Sequence, residues 1–479
     1  MPSRVLTVIL NTNHSKKFAL LLQSTIGARD LILINAGNKF RVKALSLIYL
    51  QGGVVLSQDS DLTESVTRVW VSKGEPYVGP PANSSVSSNP GEVRIMAEKS
   101  YLDGSAVNQL RAVAALPGVK LAVGMPDLHP GNRFPIGCAI AAEGVYPALI
   151  GSDIGCGIAL YHFSPPSRSS QNPNASRLAS LLVGLDDPWP GSVAEWLARY
   201  GIERRSEFDE ESLGTVGAGN HFAEICTIER IVDSEAAQTL DLQEGALYLL
   251  VHTGSRGLGG SILRSQTTSN ANPYITNDSP ALNSYLEEHD HAVKWAVANR
   301  DLVAHRIREC VFPSSPETPL PSLNDLGKIV DVTHNSVCKC ELTVEGERQE
   351  LWLHRKGAAP ADRGIAPCPG SRGDFSWLLR PTGDGEYNAL SLAHGAGRRH
   401  GRQVLHTFPK LPKSDLTTTS LGSEVICDNP DLLLEERPEA YKDVQCVVDD
   451  MEEQGACSGV AILRPVVTYK VRERRTAQR

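Results

Sequence analysis

Apolar positions recur at helical spacing between Ala281 and Cys310, where Leu282, Leu286, Val293, Val297 and Val303 form one stripe. This predicts the clearest helix of the chain, over 281–310. Its histidines, His289, His291 and His305, read as packing or surface residues. Elsewhere the apolar runs are short and bounded by glycine, as in ALYLLV at 246–251, and predict strands. In residues 1–78 the stretches LILINAG, KFRVKALSLIYL and RVWVSKG are strand-like. They predict a small β-rich module, β-grasp or doublecortin-like, suited to recruiting a partner such as an activating protein. Residues 79–92 (GPPANSSVSSNPGE) carry no apolar period and read as a linker. Residues 93–479 alternate glycine-rich apolar strands with short helices and long loops, which predicts a large mixed α/β domain. SPPSRSSQNPNAS and VFPSSPETPLPSLND read as surface insertions within it.

Composition narrows this picture. With 41% hydrophobic and 21% charged residues the chain is globular. No apolar run is long enough to span a membrane. The net charge of −8 argues against a general nucleic-acid coat and leaves room for a local basic groove. Ten scattered cysteines fit a reducing compartment, the cytoplasm first, with nucleus and mitochondrion open. Residues 1–29 hold Arg4, Lys16, Lys17 and Arg29 with no acid. That composition matches a transit peptide, and the stretch also reads as an ordinary first strand and helix.

The chemistry lies in glycine-rich loops. In MPDLHPGNRFPIGCAIAAEGVYPALIGSDIGCGIAL, Asp153 and Cys156 stand three apart, so a carboxylate and a thiolate share one loop. GTVGAGNHFAEI offers Asn220, His221 and Glu224 beside backbone N–H groups able to nest a phosphate. His252 ends a strand in LVHTGSRGLGG, and Arg256 in the same loop suits a phosphate. His334 and Asn335 follow another short strand, and the adjacent Cys338 and Cys340 stay unassigned. His354, Arg355 and Lys356 make a basic spot, PGSRGDFS offers Ser371 and Ser376, and His394 sits among small residues in HGAGR. Four histidines beside glycine or asparagine, with Asp153 and Cys156, point to a metal site plus one histidine left for chemistry. Ligand softness alone favours zinc, in a phosphoryl-transfer or hydrolytic enzyme.

In order, PDLHPG…FPIG with GSDIGCG, GAGNHF, HTGSRG, HN with HRKG, and PGSRG with HGAGR resemble the RtcB family of RNA ligases over Met96–Lys470. GNRFPIG, APADRG and LRPVVTYKVRERR are nearest the branch associated with peptide release factor H. The resemblance implies two manganese ions, in place of zinc, on Asp153, Cys156, His221, His252 and His334, with the thiolate bridging. It implies His394 as the nucleophile that takes GMP from GTP. The implied guanylate pocket comprises Asn220, His221, Phe222, Ala223, Glu224, His334, Asn335, Pro369, Gly370, Ser371, Arg372, Ser376, His394, Gly395, Ala396, Gly397 and Lys470. Arg256, Arg355 and Lys356 are candidates for RNA phosphates.

The implied reaction joins an RNA 3′-phosphate, or a 2′,3′-cyclic phosphate opened first by water, to a 5′-hydroxyl. It passes through histidine–GMP and an RNA(3′)pp(5′)G end, as in RNA repair or tRNA splicing. Arg372 stands where the family commonly has methionine, Val471 follows Lys470 where many members end in glycine, and Cys138 stands where a small residue is usual. The rival readings are a metal-dependent phosphoesterase without ligation, which needs no guanylate pocket, and a non-catalytic RNA-binding adaptor, which needs no intact ligand set.

Overall fold

The computed structural model describes residues 4–22, 27–50, 52–62, 66–78, 90–163, 174–268, 270, 272–315, 318–409 and 411–472. Most of the 79–92 linker and the core of the SPPSRSSQNPNAS insertion lie outside these. The chain divides into two compact units, Met1–Asn89 with Thr267–Pro273, and Pro90–Gln266 with Tyr274–Arg479.

In the first unit β1 (Arg4–Leu10) and β2 (Asn13–Leu22) form a hairpin, followed by the helix Ala28–Phe40, β3 (Leu47–Tyr49) and β4 (Arg68–Ser72). The sheet order is β2-β1-β4-β3, with β1 parallel to β4. Leu6, Val8, Leu10, Val69 and Val71 pack against Ile32, Ala36 and Phe40 of the helix. Two expectations change here. LILINAG is helical, not a strand, because Ala28, Ile32, Ala36 and Phe40 bury one face at a spacing of four. The stretch with transit-peptide composition is the β1–β2 hairpin, two strands rather than a strand and a helix.

The second unit opens with β5 (Glu92–Ile95), which already includes the last residue of the expected linker. β6 (Val119–His129), β7 (Ile136–Ala142), β12 (Asn335–Val344) and β13 (Glu347–Lys356) complete a five-stranded sheet of order β12-β13-β7-β6-β5. An eight-stranded sheet runs β11-β8-β10-β9-β19-β16-β15, with β18 (Glu424–Cys427) paired to β19. Its strands are β8 (Gly157–His162), β9 (Phe222–Ile231), β10 (Leu247–Thr253), β11 (Lys328–Thr333), β15 (Ala366–Pro369), β16 (Ser376–Pro381) and β19 (Cys457–Val471). β14 (Ala358–Pro360) pairs with β17 (Ser391–Ala393).

Strand alternation organises the core. Ile158, Leu160, Tyr248, Leu250, Cys226 and Val332 share one cluster with Leu121, Val123, Met125 and Leu353 of the five-stranded sheet. Ala159, Tyr161, Leu249, Val251 and Ile225 take the opposite parity and meet Val303, Ala304 and Ile307 of the long helix Ala281–Val311. That helix matches the expected 281–310. Its His305 stacks on Trp196, and His289 Nε2 accepts from the Val337 N–H at 3.1 Å, so both are structural. No helix among the described residues is long and apolar enough to cross a membrane.

Candidate metal and nucleotide centre

The apolar stripes of the inner parity turn polar at one end of three adjacent strands. Cys156 precedes Ile158 on β8, His252 follows Leu250 on β10, and His334 follows Val332 on β11. Register brings them level. His252 lies opposite Ile158, and the His334 N–H donates to the Cys156 carbonyl at 2.9 Å. Glu224 of β9 shares its parity with Cys226, and on β19 Thr468 and Lys470 alternate with Val467 and Tyr469, which pack on the helix side.

Cys156 Sγ is 3.4 Å from both His221 Nε2 and His252 Nε2. His252 Nε2 is 3.3 Å from His334 Nε2, and His221 Nε2 is 2.8 Å from Asp153 Oδ2. These atoms form two ligand triads, Asp153–Cys156–His221 and Cys156–His252–His334, with the thiol common to both. Donors about 2.0–2.3 Å from an ion in tetrahedral array stand about 3.3–3.7 Å apart, so the sulfur–nitrogen and imidazole spacings suit ions. Burial and neighbouring imidazoles push the His252 and His334 pKa values well down, keeping both rings neutral and able to act as ligands. Burial, then Asp153, pushes the Cys156 thiol up, so a thiolate there needs a cation beside it. Burial opposes the charge of Asp153, yet His221, Cys156 and Lys356 together outweigh it and hold the carboxyl below its usual range.

Close backbone approach makes this possible. A Cβ on Gly254 would fall 2.2 Å from Asp153 Oδ1. Arg300, fully buried on the long helix, donates to the Gly155 and Thr253 carbonyls at 2.9 and 3.0 Å and pairs with Asp331 at 2.8 Å. One guanidinium thereby ties together the backbones carrying Cys156, His252 and His334. Asn335 Nδ2 donates to the Asp153 carbonyl, and Asn335 Oδ1 accepts from the Gly357 N–H.

His394 stands beside the ligands and outside both triads. Its ring lies 4.7 Å from that of His334 and 6.3 Å from that of His252. Nδ1 meets Asp127 Oδ2 at 2.7 Å, so an Nδ1–H donated there leaves Nε2 with its lone pair. Gly397, at φ +69°, lets the HGAGR loop close on Asp127, whose carbonyl would sit 2.2 Å from an added Cβ. Lys442 Nζ donates to the Pro126 and Leu128 carbonyls on either side of that aspartate.

A second polar cluster adjoins. The Ala396 N–H donates to the Pro369 carbonyl, so the HGAGR and PGSRG loops touch. Thr468 Oγ1 donates to Glu224 Oε2 at 2.6 Å, and burial raises that carboxyl to about 7. Lys470 Nζ is 3.6 Å from Glu436 Oε2, and Glu436 also holds Tyr441 and Arg398. Arg372 donates to the Leu433 carbonyl, while its Nε and Nη1 are buried without a partner. Ser371 and Ser376 are buried, Asn220 is exposed, and Phe222 sets its ring edge-on to His252 at 5.5 Å. Cys138 is packed in β7.

The phosphate candidates separate. The Arg256 guanidinium lies against Gly217 and acts electrostatically on Asp153. Lys356 donates to the Ile150 carbonyl, and its charge reaches Asp153 and Cys156. Arg355 does not join them. It is 2% exposed and spent on Ser391 Oγ and the Leu390 carbonyl, because β13 is an interior strand. Sequence reasoning missed Asp127, although PDLHPG was in view, and also Arg300, Glu436, Tyr441 and Lys442.

A family model described as tRNA-splicing ligase RtcB matches residues 109–194 and 190–471. The RNA-splicing ligase RtcB2 of Escherichia coli is 40% identical over 382 residues, covering 78% of this chain and 94% of that protein. The RNA-splicing ligase RtcB homolog 1 of Entamoeba histolytica is 28% identical, covering 76% of this chain and 83% of its own. The tRNA-splicing ligase RtcB of Aeropyrum pernix is 28% identical, covering 76% and 90%.

Proposed function

The chain belongs to the RtcB family of RNA-splicing ligases, an enzyme family, and from that premise we propose that it joins RNA 3′-phosphate or 2′,3′-cyclic phosphate ends to 5′-hydroxyl ends, using GTP and two manganese ions. The observation that carries this reading is the arrangement of the histidines. Three are committed to a shared-thiol ligand set, and the fourth, His394, is held beside it by Asp127 with Nε2 free. A hydrolase would use the ligand set without needing that fourth group.

Asp153, Cys156, His221, His252 and His334 would hold the metals, whose charge would neutralise the triphosphate and orient the leaving pyrophosphate. His394 Nε2 attacks the α-phosphorus of GTP, and pyrophosphate leaves. The P–N bond then breaks as an oxygen of the RNA 3′-phosphate takes GMP. Attack by the 5′-hydroxyl on that activated end seals the strand and releases GMP. Arg256 and Lys356 are the cations placed to hold phosphates during these steps. Glu224, Thr468 and Lys470 read the guanine edge. The first unit, with its hairpin, helix and parallel β1–β4 pair, we read as a β-grasp module that recruits rather than catalyses. The test is incubation with labelled GTP and Mn²⁺, then with RNA bearing the two ends. Joined RNA with no covalent nucleotide adduct would overturn the histidine route, and phosphate release without joining would favour the phosphoesterase.

Asp127→Asn is expected to slow adduct formation by about 10³–10⁴-fold, because fixing a catalytic imidazole's tautomer is worth that much. Metal content should stay at the wild-type level, since Asp127 is in neither triad. Single-turnover guanylylation within a few-fold of wild type would remove Asp127 from this role.

Glu224 sets a pH dependence. Its buried carboxyl titrates near 7, and only the ionised form accepts a guanine edge's N–H pair. Below that pH, binding must expel a proton, so the Kd for GTP should rise about tenfold per unit of acidification and level off above it. Glu224→Gln should flatten the profile and weaken binding by about 10–100-fold. A flat profile in the wild-type protein would show that Glu224 does not face the base.

A further inference from the structure

The first unit is electrically polarised between the two ends of its sheet. Residues 1–78 carry nine Lys and Arg against five Asp and Glu, a net +4 that leaves −12 for the rest of the chain. Topology sorts these charges. β1 and β4 finish, β2 and β3 begin, and the helix ends, all at the same end of the sheet. Lys16, Lys17, Lys39, Arg41, Lys43 and Lys73 lie there, and all six are exposed. Phe18 of β2 meets Phe40 beside Lys39 at 5.3 Å, so the strand that carries Lys16 and Lys17 and the helix end that carries Lys39 come together there. Arg41 and Ala44 adopt left-handed backbone, at φ 56° and 61°, in the turn that presents Arg41 and Lys43.

Among the described residues, three of the acids sit elsewhere. Asp30 opens the helix, Asp59 accepts from the Gly27 and Arg29 N–H groups, and Asp61 accepts from Ser57 and Gln58, all at the opposite end. The Arg29–Asp30 pair is also there. At the basic end Glu75 is turned back onto Ser72 Oγ and the Lys73 N–H, offsetting Lys73 alone. Compensation of the helix dipole would account for Lys39 but not for Lys16, Lys17, Lys43 or Lys73, which belong to other segments.

We infer that this end of the first unit is a binding surface for the phosphate backbone of RNA. The rest of the chain is net negative, and this patch gathers six exposed cations at one end of a sheet, the concentrated positive charge that draws a polyanion. RNA as the polyanion rests on the ligase reading above.

The test uses the full chain, without GTP or metal, and a labelled single-stranded RNA of about 20 nucleotides whose 5′-phosphate and 3′-hydroxyl ends cannot be joined. Anisotropy is read across about 50–200 mM salt. The fourfold variant Lys16→Gln, Lys39→Gln, Arg41→Gln, Lys43→Gln should bind at least about tenfold more weakly at low salt. Its log–log salt slope should be shallower by about 3, four contacts at about 0.7 each. Guanylylation by the same variant should match wild type, which shows the catalytic unit intact, and its circular dichroism and thermal unfolding should also match, which shows the first unit folded. Unchanged affinity and slope would overturn the surface. Equal weakening by Arg29→Gln with Arg68→Gln would also overturn it, since diffuse charge would then suffice. RNA binding that depends on the patch in a protein forming no GMP adduct would instead count against the ligase reading and leave the surface standing.

Discussion

Cys156→Ala is expected to remove both metal ions at once and abolish guanylylation and ligation, while the protein stays folded. The thiol belongs to both triads, so its loss leaves each with two protein ligands. A soft donor lost from both sites also removes the charge that lets two cations sit close together. Folding should survive because burial keeps the metal-free thiol protonated, so no buried charge is stranded. His334→Ala is the control. It touches one triad and should keep about one metal equivalent, on Asp153, Cys156 and His221. Metal counting by mass spectrometry of the intact protein separates these outcomes. Two retained equivalents in Cys156→Ala would show that the sulfur bridges nothing.

The second large effect concerns His394. A P–N bond to imidazole is labile in acid and stable in base, unlike a serine ester. Wild-type protein with GTP and manganese should form a GMP adduct that mild acid destroys. His394→Ala should form none, a loss to background, since the attacking atom itself is gone. The variant should keep its metals, because His394 is outside both triads. It should also still join RNA supplied as RNA(3′)pp(5′)G, a substrate past the steps that use the imidazole. An adduct persisting in His394→Ala, or one mapping to a lysine, would assign the chemistry to another nucleotidyl-transfer class.

What the sequence disclosed follows from where information is stored along the chain. The five candidate ligands and His394 were legible because each lies in a loop or at a strand end within two residues of a glycine or asparagine, a local signature. Asp127, Arg300 and Glu436 act across 267, 145 and 38 residues of sequence on His394, Gly155 and Arg398. No local pattern marks such partners. Arg355 misled because HRK looks like a basic surface spot, whereas a strand hydrogen-bonded on both sides buries it. LILINAG misled because exposed Leu31 and Ile34 fill in the apolar run and hide the four-residue spacing beneath it. Parity along β8, β10 and β11 was readable, but their register was not, and register is what makes the thiol common to two triads.

Arg300 also constrains how this chain can drift. It answers two backbone carbonyls and one buried carboxylate, in segments that carry three of the ligands. Losing Asp331 alone strands the fully buried Arg300 charge, a penalty of about 3–5 kcal/mol, comparable to much of a domain's net stability. Losing Arg300 alone leaves Asp331 with only Lys328, at 3.8 Å. Neither position can therefore change first without cost, although neither contacts a substrate. A lineage leaving this pair must cross a fitness valley or acquire a compensating stabilisation beforehand, so the helix position is constrained by the backbones it ties together.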